Sequence, residues 1–137
     1  MFSTAPRKRL YESMNRFDQT PEFKKELKKL SKKFQSLGTD LKTFEAVITN
    51  KPTGIGTSFT IIHATETVKI VKARFACKTL RNTSLRIIYA FREDTITFMY
   101  IELYFKGDKP NEDQVRVDNY LEKMDKTLKK NKFVCIC

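Results

Sequence analysis

"VKARFACKTLRNTSLRIIYAF", residues 71–91, decides how this chain folds. Rich in β-branched and aromatic residues on either side of the polar R-N-T-S at 81–84, it predicts two strands joined by a turn. Side chains alternate across a strand. Val71, Ala73 and Phe75 therefore share one face of the first strand, and Lys72 and Arg74 share the other. In the second strand Leu85, Ile87, Tyr89 and Phe91 make an apolar face, with Arg86 opposite. Fixed positive charge thus gathers on one side of a sheet whose other side is apolar.

Working outward, the first strand extends over Val68–Cys77 and the second over Leu85–Phe91. A further strand is expected at Thr95–Phe105 after the turn R-E-D-T, and an extended piece at 59–65. In Thr95–Phe105 strict alternation groups Met99, Ile101, Leu103 and Phe105 as an apolar set, with Glu102, Tyr104 and Lys106 on the alternate side. With the faces aligned, Lys72, Arg74, Arg86, Tyr104 and Lys106 form one basic surface. An antiparallel sheet can leave one face wet, so a merely solvated face is the plain alternative. Wet strand faces normally mix Thr, Ser, Glu and Lys, however, and like charges repel across neighbouring strands. A polyanion that neutralises them explains why they are tolerated.

Upstream, "TPEFKKELKKLSKKFQSLG" (20–38) has Thr20 as a helix cap, Pro21 at the first helical position and Glu22 in the first turn. Phe23, Leu27, Leu30, Phe34 and Leu37 form one apolar stripe, lysines fill the other face, and Gly38 reads as the stop. "TDLKTFEAVITN" continues as a second helix capped by Thr39 or Asp40, giving a helical hairpin. "KPTGIGTS" (51–58) is a connection, since no Gly-Lys-Ser/Thr follows its glycines. A last amphipathic helix carries Val117, Leu121, Met124 and Leu128 after the loop "KGDKPNED". A short first strand fits within Arg7–Asp18, behind a loose start at 1–6. The expected fold is α+β in a single domain, 1–137: an N-terminal helical hairpin packed on an antiparallel sheet of about four strands, with a C-terminal helix.

Composition narrows the class of partner. The 137 residues carry a formal net charge of +11, which favours nucleic acid, an acidic protein or an anionic surface. No apolar run approaches the ~20 residues of a spanning helix, so no membrane role is expected. The N-terminus lacks the apolar segment of a secretory signal. The odd cysteine count (Cys77, Cys135, Cys137) argues against a disulfide framework and points to the cytoplasm. The C-I-C end and the single His63 are poor metal-ligand patterns, so neither a metal nor another cofactor is expected.

"TPEFKKELKKL", "VKARF", "LRIIYAF" and "IELYFKGDK", in that order, resemble the RelE/ParE superfamily of toxins from toxin–antitoxin systems, over roughly residues 10–125. The RelE branch cleaves mRNA, usually on the translating ribosome; the ParE branch poisons DNA gyrase. The resemblance implies a metal-independent endoribonuclease with an antitoxin partner that blocks its basic face. It places catalytic roles on Lys72, Arg74, Arg86 and Lys106, with Tyr104 or Tyr120 as the aromatic and no His available near the C-terminal end. Arg86 would stabilise the phosphate, and Lys72 would be a base if Arg74 and Arg86 lower its pKa. Glu102 is a rival base, or else a salt-bridge partner of an arginine. Lys78 and Arg81 in the turn would track RNA backbone. The loop and extended piece at 51–67 are longer than in compact members. A ParE-like gyrase inhibitor and a non-catalytic basic RNA-binding module are the competing expectations.

Overall fold

The computed structural model describes residues 16–54, 56–78, 85–107 and 111–124. The expected loose start at 1–6, Arg81, Leu128 and the C-I-C end lie outside these residues. In chain order the elements are β1 (Arg16–Gln19), α1 (Pro21–Lys33), α2 (Leu37–Asn50), a short 3-10 turn (Gly56–Ser58), β2 (Phe59–Ala64), β3 (Val68–Phe75), β4 (Leu85–Arg92) and β5 (Thr97–Phe105). Residues 114–124 form a further helix, α3. The strands make one sheet in the order β1-β5-β4-β3-β2. β2 to β5 form an antiparallel meander, as the alternating strands and polar turns require. β1 adds a fifth strand, parallel to β5.

α1 starts as its sequence dictates. The Phe23 amide donates to the Thr20 hydroxyl at 3.2 Å, and Thr20 in turn donates to the Ile101 carbonyl at 3.2 Å, tying the helix start to β5. The end differs from expectation. α1 stops at Lys33, with Phe34 in extended geometry and packed against the core. Gly38 lies in the first turn of α2 and is not among the positive-φ glycines, so it supplies no left-handed stop. Ser36 takes the N-cap position in place of Thr39 or Asp40.

Both helices pack on one face of the sheet. Phe23, Leu30, Leu41, Phe44 and Ile48 meet Val71, Phe75, Ile87, Tyr89, Phe98 and Leu103 in one buried cluster. Alternation along β3 and β4 is as read from the sequence; along β5 it is not. Ile88 pairs with Glu102 and Tyr89 with Tyr100, so Ile101 is an extra residue in a β-bulge. The bulge resets the alternation. Phe98, Tyr100 and Leu103 face the helices, while Met99 and Ile101 join Val68, Ile70, Ile88 and Ala90 on the opposite side. There they are covered by Val117, Tyr120 and Leu121 of α3. The charged face is therefore partly roofed.

Candidate nucleic-acid interface

Register places the basic residues in rows across the sheet. Arg74 on β3 is opposite Arg86 on β4, and Arg86 is opposite Tyr104 on β5. The next row is Lys72, Ile88 and Glu102. Arg74 is exposed, Arg86 is half-buried with Nη1 donating to its neighbour's carbonyl, Leu85 O, at 3.2 Å, and Tyr104 is buried. Two guanidinium-bearing residues directly opposite one another on antiparallel strands repel, and the arrangement suits an anion bound between them.

Lys72 lies one row further in, where α3's approach closes over it. Its Nζ donates to Glu112 Oε1 at 2.9 Å and lies beside the Tyr104 hydroxyl. Burial pulls the ammonium towards neutrality, but the hydrogen bond to Glu112 and the neighbouring negative charge outweigh it, holding its pKa above the ordinary lysine value. The expected lowering by Arg74 and Arg86 is thus reversed, because a carboxylate separated by 40 positions in sequence sits on the lysine. Burial pushes the Glu112 carboxyl up, and the Lys72 hydrogen bond, a backbone hydrogen bond and the Lys72 charge together more than offset it. The Tyr104 phenol is pushed up by burial, with Lys72 partly countering.

Glu102 is fully buried and accepts from the Asp113 amide at 2.7 Å. It anchors the start of α3, where Asp113 accepts from the Val115 amide at 3.1 Å as the N-cap. Its charge also acts on Arg116, helping to raise that guanidinium's pKa, so the expected part of an arginine partner fits better than that of a base. Arg116 completes the clamp, reaching Glu26 of α1 at 2.8 Å; hydrogen bonding to Glu26 raises its pKa further. The other Glu26 oxygen accepts from the Leu103 amide at 3.1 Å, satisfying the edge of β5 beyond the end of β1.

The remaining candidates are dispersed. Lys106 is exposed one residue past β5. Lys78 is exposed, and its amide donates to Asp40 Oδ2 at 3.0 Å, so the strand exit is held on the helix side. Asp40 is 4% exposed and also accepts from Ser36 Oγ at 2.7 Å. Burial pushes the Asp40 carboxyl up, but these hydrogen bonds outweigh it and keep it below the ordinary value. Tyr120 packs under α3 near Arg92 and Asp94, at the other end of β4 from Arg86, so it is not at the row. His63 is exposed on β2, an edge strand. Among the described residues no group of three or more His, Cys, Asp or Glu is placed to hold a metal, and no helix is long and apolar enough to cross a membrane. Glu112 and Arg116 carry no local sequence signal; only the packing of α3 reveals them.

A helical pair on one face of a small meander sheet, with a further helix on the other face, is the arrangement of the RelE fold. A solved structure sharing it is the archaeal RelE-RelB complex from Pyrococcus horikoshii OT3, with a TM-score of 0.54 and 15% identity, covering 70% of this chain and 99% of that chain. At this identity the likeness is one of fold. No protein-family model matches the sequence, and no curated protein does.

Proposed function

We propose that this chain is the toxin of a toxin–antitoxin pair, an endoribonuclease of the RelE type that cleaves mRNA on the ribosome. The observation that carries the reading is the Arg74–Arg86–Tyr104 row with Lys72 beside it, on a RelE fold. In the reaction the RNA 2′-OH gives up its proton to solvent water and attacks the adjacent phosphate. The 5′ oxygen leaves with a proton, giving a 2′,3′-cyclic phosphate and a 5′-OH. Arg86 and Arg74 bind the phosphate oxygens, and their charge offsets that of the phosphorane. Lys72, held as the ammonium, adds to that stabilisation rather than acting as base. Lys106, or the Tyr104 hydroxyl beside Lys72, serves the leaving oxygen; Tyr104 is 4% exposed and its ring stacks no base. Lys78 and Arg81 track the backbone, and no metal takes part. The partner is an antitoxin whose acidic or amphipathic segment covers the row; the RelE of Pyrococcus horikoshii is seen bound to RelB.

Arg86→Ala should abolish growth arrest and RNA cleavage while leaving the fold intact. Full toxicity in that variant refutes the assignment. The Lys72–Glu112 pair favours a second reading, a ParE-like gyrase inhibitor or a non-catalytic RNA-binding module, because it occupies the basic side chain nearest the row. Primer extension on cellular mRNA beside a gyrase cleavage assay separates the readings.

A further inference from the structure

We propose that the lysine face of α1 is a second RNA-contacting surface, a backbone-tracking continuation of the Arg74–Arg86–Tyr104 row around the outer edge of β5. It rests on the reading of that row as an RNA-phosphate site. α1 carries two parallel rows, Lys24–Lys28–Lys32 and Lys25–Lys29–Lys33, and all six side chains are exposed. Each row repeats every four residues, which on a helix places like charges about 6 Å apart. Such spacing weakens the helix that bears it. The carboxylate best placed to relieve it, Glu26, has both oxygens engaged, by Arg116 and by the Leu103 amide.

The lysine face and the row approach each other at the outer edge of β5. A groove of about 200 Å³ runs between α1 and the end of β5, and its lining includes Lys29 and Lys33 on one side and Leu103, Tyr104 and Phe105 on the other. Tyr104 belongs to both the groove and the row, and Lys106 is exposed just past the strand end. A strand of RNA held at Arg74 and Arg86 leaves over this edge onto Lys29 and Lys33.

The chemistry of the face selects RNA backbone over protein. Its exposed residues are Pro21, Glu22 and the lysines. Protein interfaces are depleted in lysine and anchored by aromatic residues, methionine and arginine, none of which this face offers. Lysine is a flexible point charge without the arginine fork, which suits phosphate contacts that carry no sequence information. Membrane insertion is closed off because the helix's apolar side, Phe23 and Leu30, is buried in the core.

The test uses the full chain and a fluorescein-labelled oligouridylate about 20 nucleotides long, with binding followed by anisotropy over a salt series. Lys25→Gln/Lys29→Gln/Lys33→Gln should reduce the slope of log K against log[salt] by about 2, since each single-strand phosphate contact contributes about 0.7. Its melting temperature should hold or rise, because like-charge repulsion is relieved. The matching triple Lys→Arg variant should keep the wild-type slope. An unchanged slope in the glutamine variant, or a lost slope in the arginine variant, overturns the inference. Arg74→Ala/Arg86→Ala separates the two levels. If it loses binding while the glutamine variant does not, the row stands and the lysine track falls. If the wild-type chain binds no RNA, both fall.

Discussion

Replacing Glu112 by glutamine tests whether the start of α3 competes with RNA for Lys72. The substitution keeps the shape and a hydrogen-bond acceptor but removes the charge 2.9 Å from the ammonium. At that distance the gross attraction is about 6 kcal/mol for an effective dielectric near 20. Desolvation and side-chain ordering cancel most of it. With the side chains 25% and 16% exposed, the net loss should be about 1–2 kcal/mol, between a surface pair and a fully buried one. Urea denaturation measures it. The same change should tighten RNA binding, because Lys72 becomes free to meet a phosphate, and the salt slope should steepen by about 0.7. Lys72 has its folded pKa raised, so its contribution is full below its unfolded value of ~10.4 and is lost as pH rises through the folded value. Glu112 has its folded pKa lowered, so its contribution is full above ~4.3 and is lost as pH falls through the folded value. The stability gap between wild type and Glu112→Gln should therefore be flat from about pH 5 to pH 10 and shrink on either side. RNA binding that is weaker, or unchanged in both affinity and slope, would refute the competition.

Two further substitutions probe the frame of the fold. Asp40→Ala should cost about 2–3 kcal/mol in urea melts, since it leaves the Lys78 amide and Ser36 hydroxyl without their shared acceptor. Because the folded pKa of Asp40 is lowered, its contribution is present above pH ~3.9 and lost as pH falls through the folded value, so the variant should be less sensitive to acid than wild type. Ile96 in the β4–β5 turn is a β-branched residue at φ 49 and is 40% exposed. Ile96→Asn should raise stability by about 1 kcal/mol by relieving left-handed strain, read as a higher melting temperature. A lower one would show that Ile96's packing outweighs the strain.

The reach of the sequence differs from strand to strand. Regular alternation in β3 and β4 made both faces legible, down to Arg74 and Arg86 sharing one side. In β5 the same rule misassigned Met99 and Ile101, because one extra residue inverts every side chain on one side of it. The helix cap at Thr20 was legible because it depends on neighbours within one turn. The end of α1 was not, since it falls where Phe34 turns to extended geometry and packs against the core cluster, which local periodicity does not encode.

Local pattern by itself determined the α+β class, the lysine-bearing helix and the charged side of the central strands, because each of those is written in periods of two to four residues. Tertiary structure alone decided which of those charges stay open. α3 roofs the far face, Glu112 pairs with Lys72, Glu102 holds the start of α3, and a groove between α1 and the end of β5 is lined by Lys29, Lys33 and Tyr104. The physical reason is that a charge is available to a ligand only in proportion to what the fold leaves unpaired around it. The carboxylate that meets Lys72 stands 40 residues away, at a separation no local period encodes.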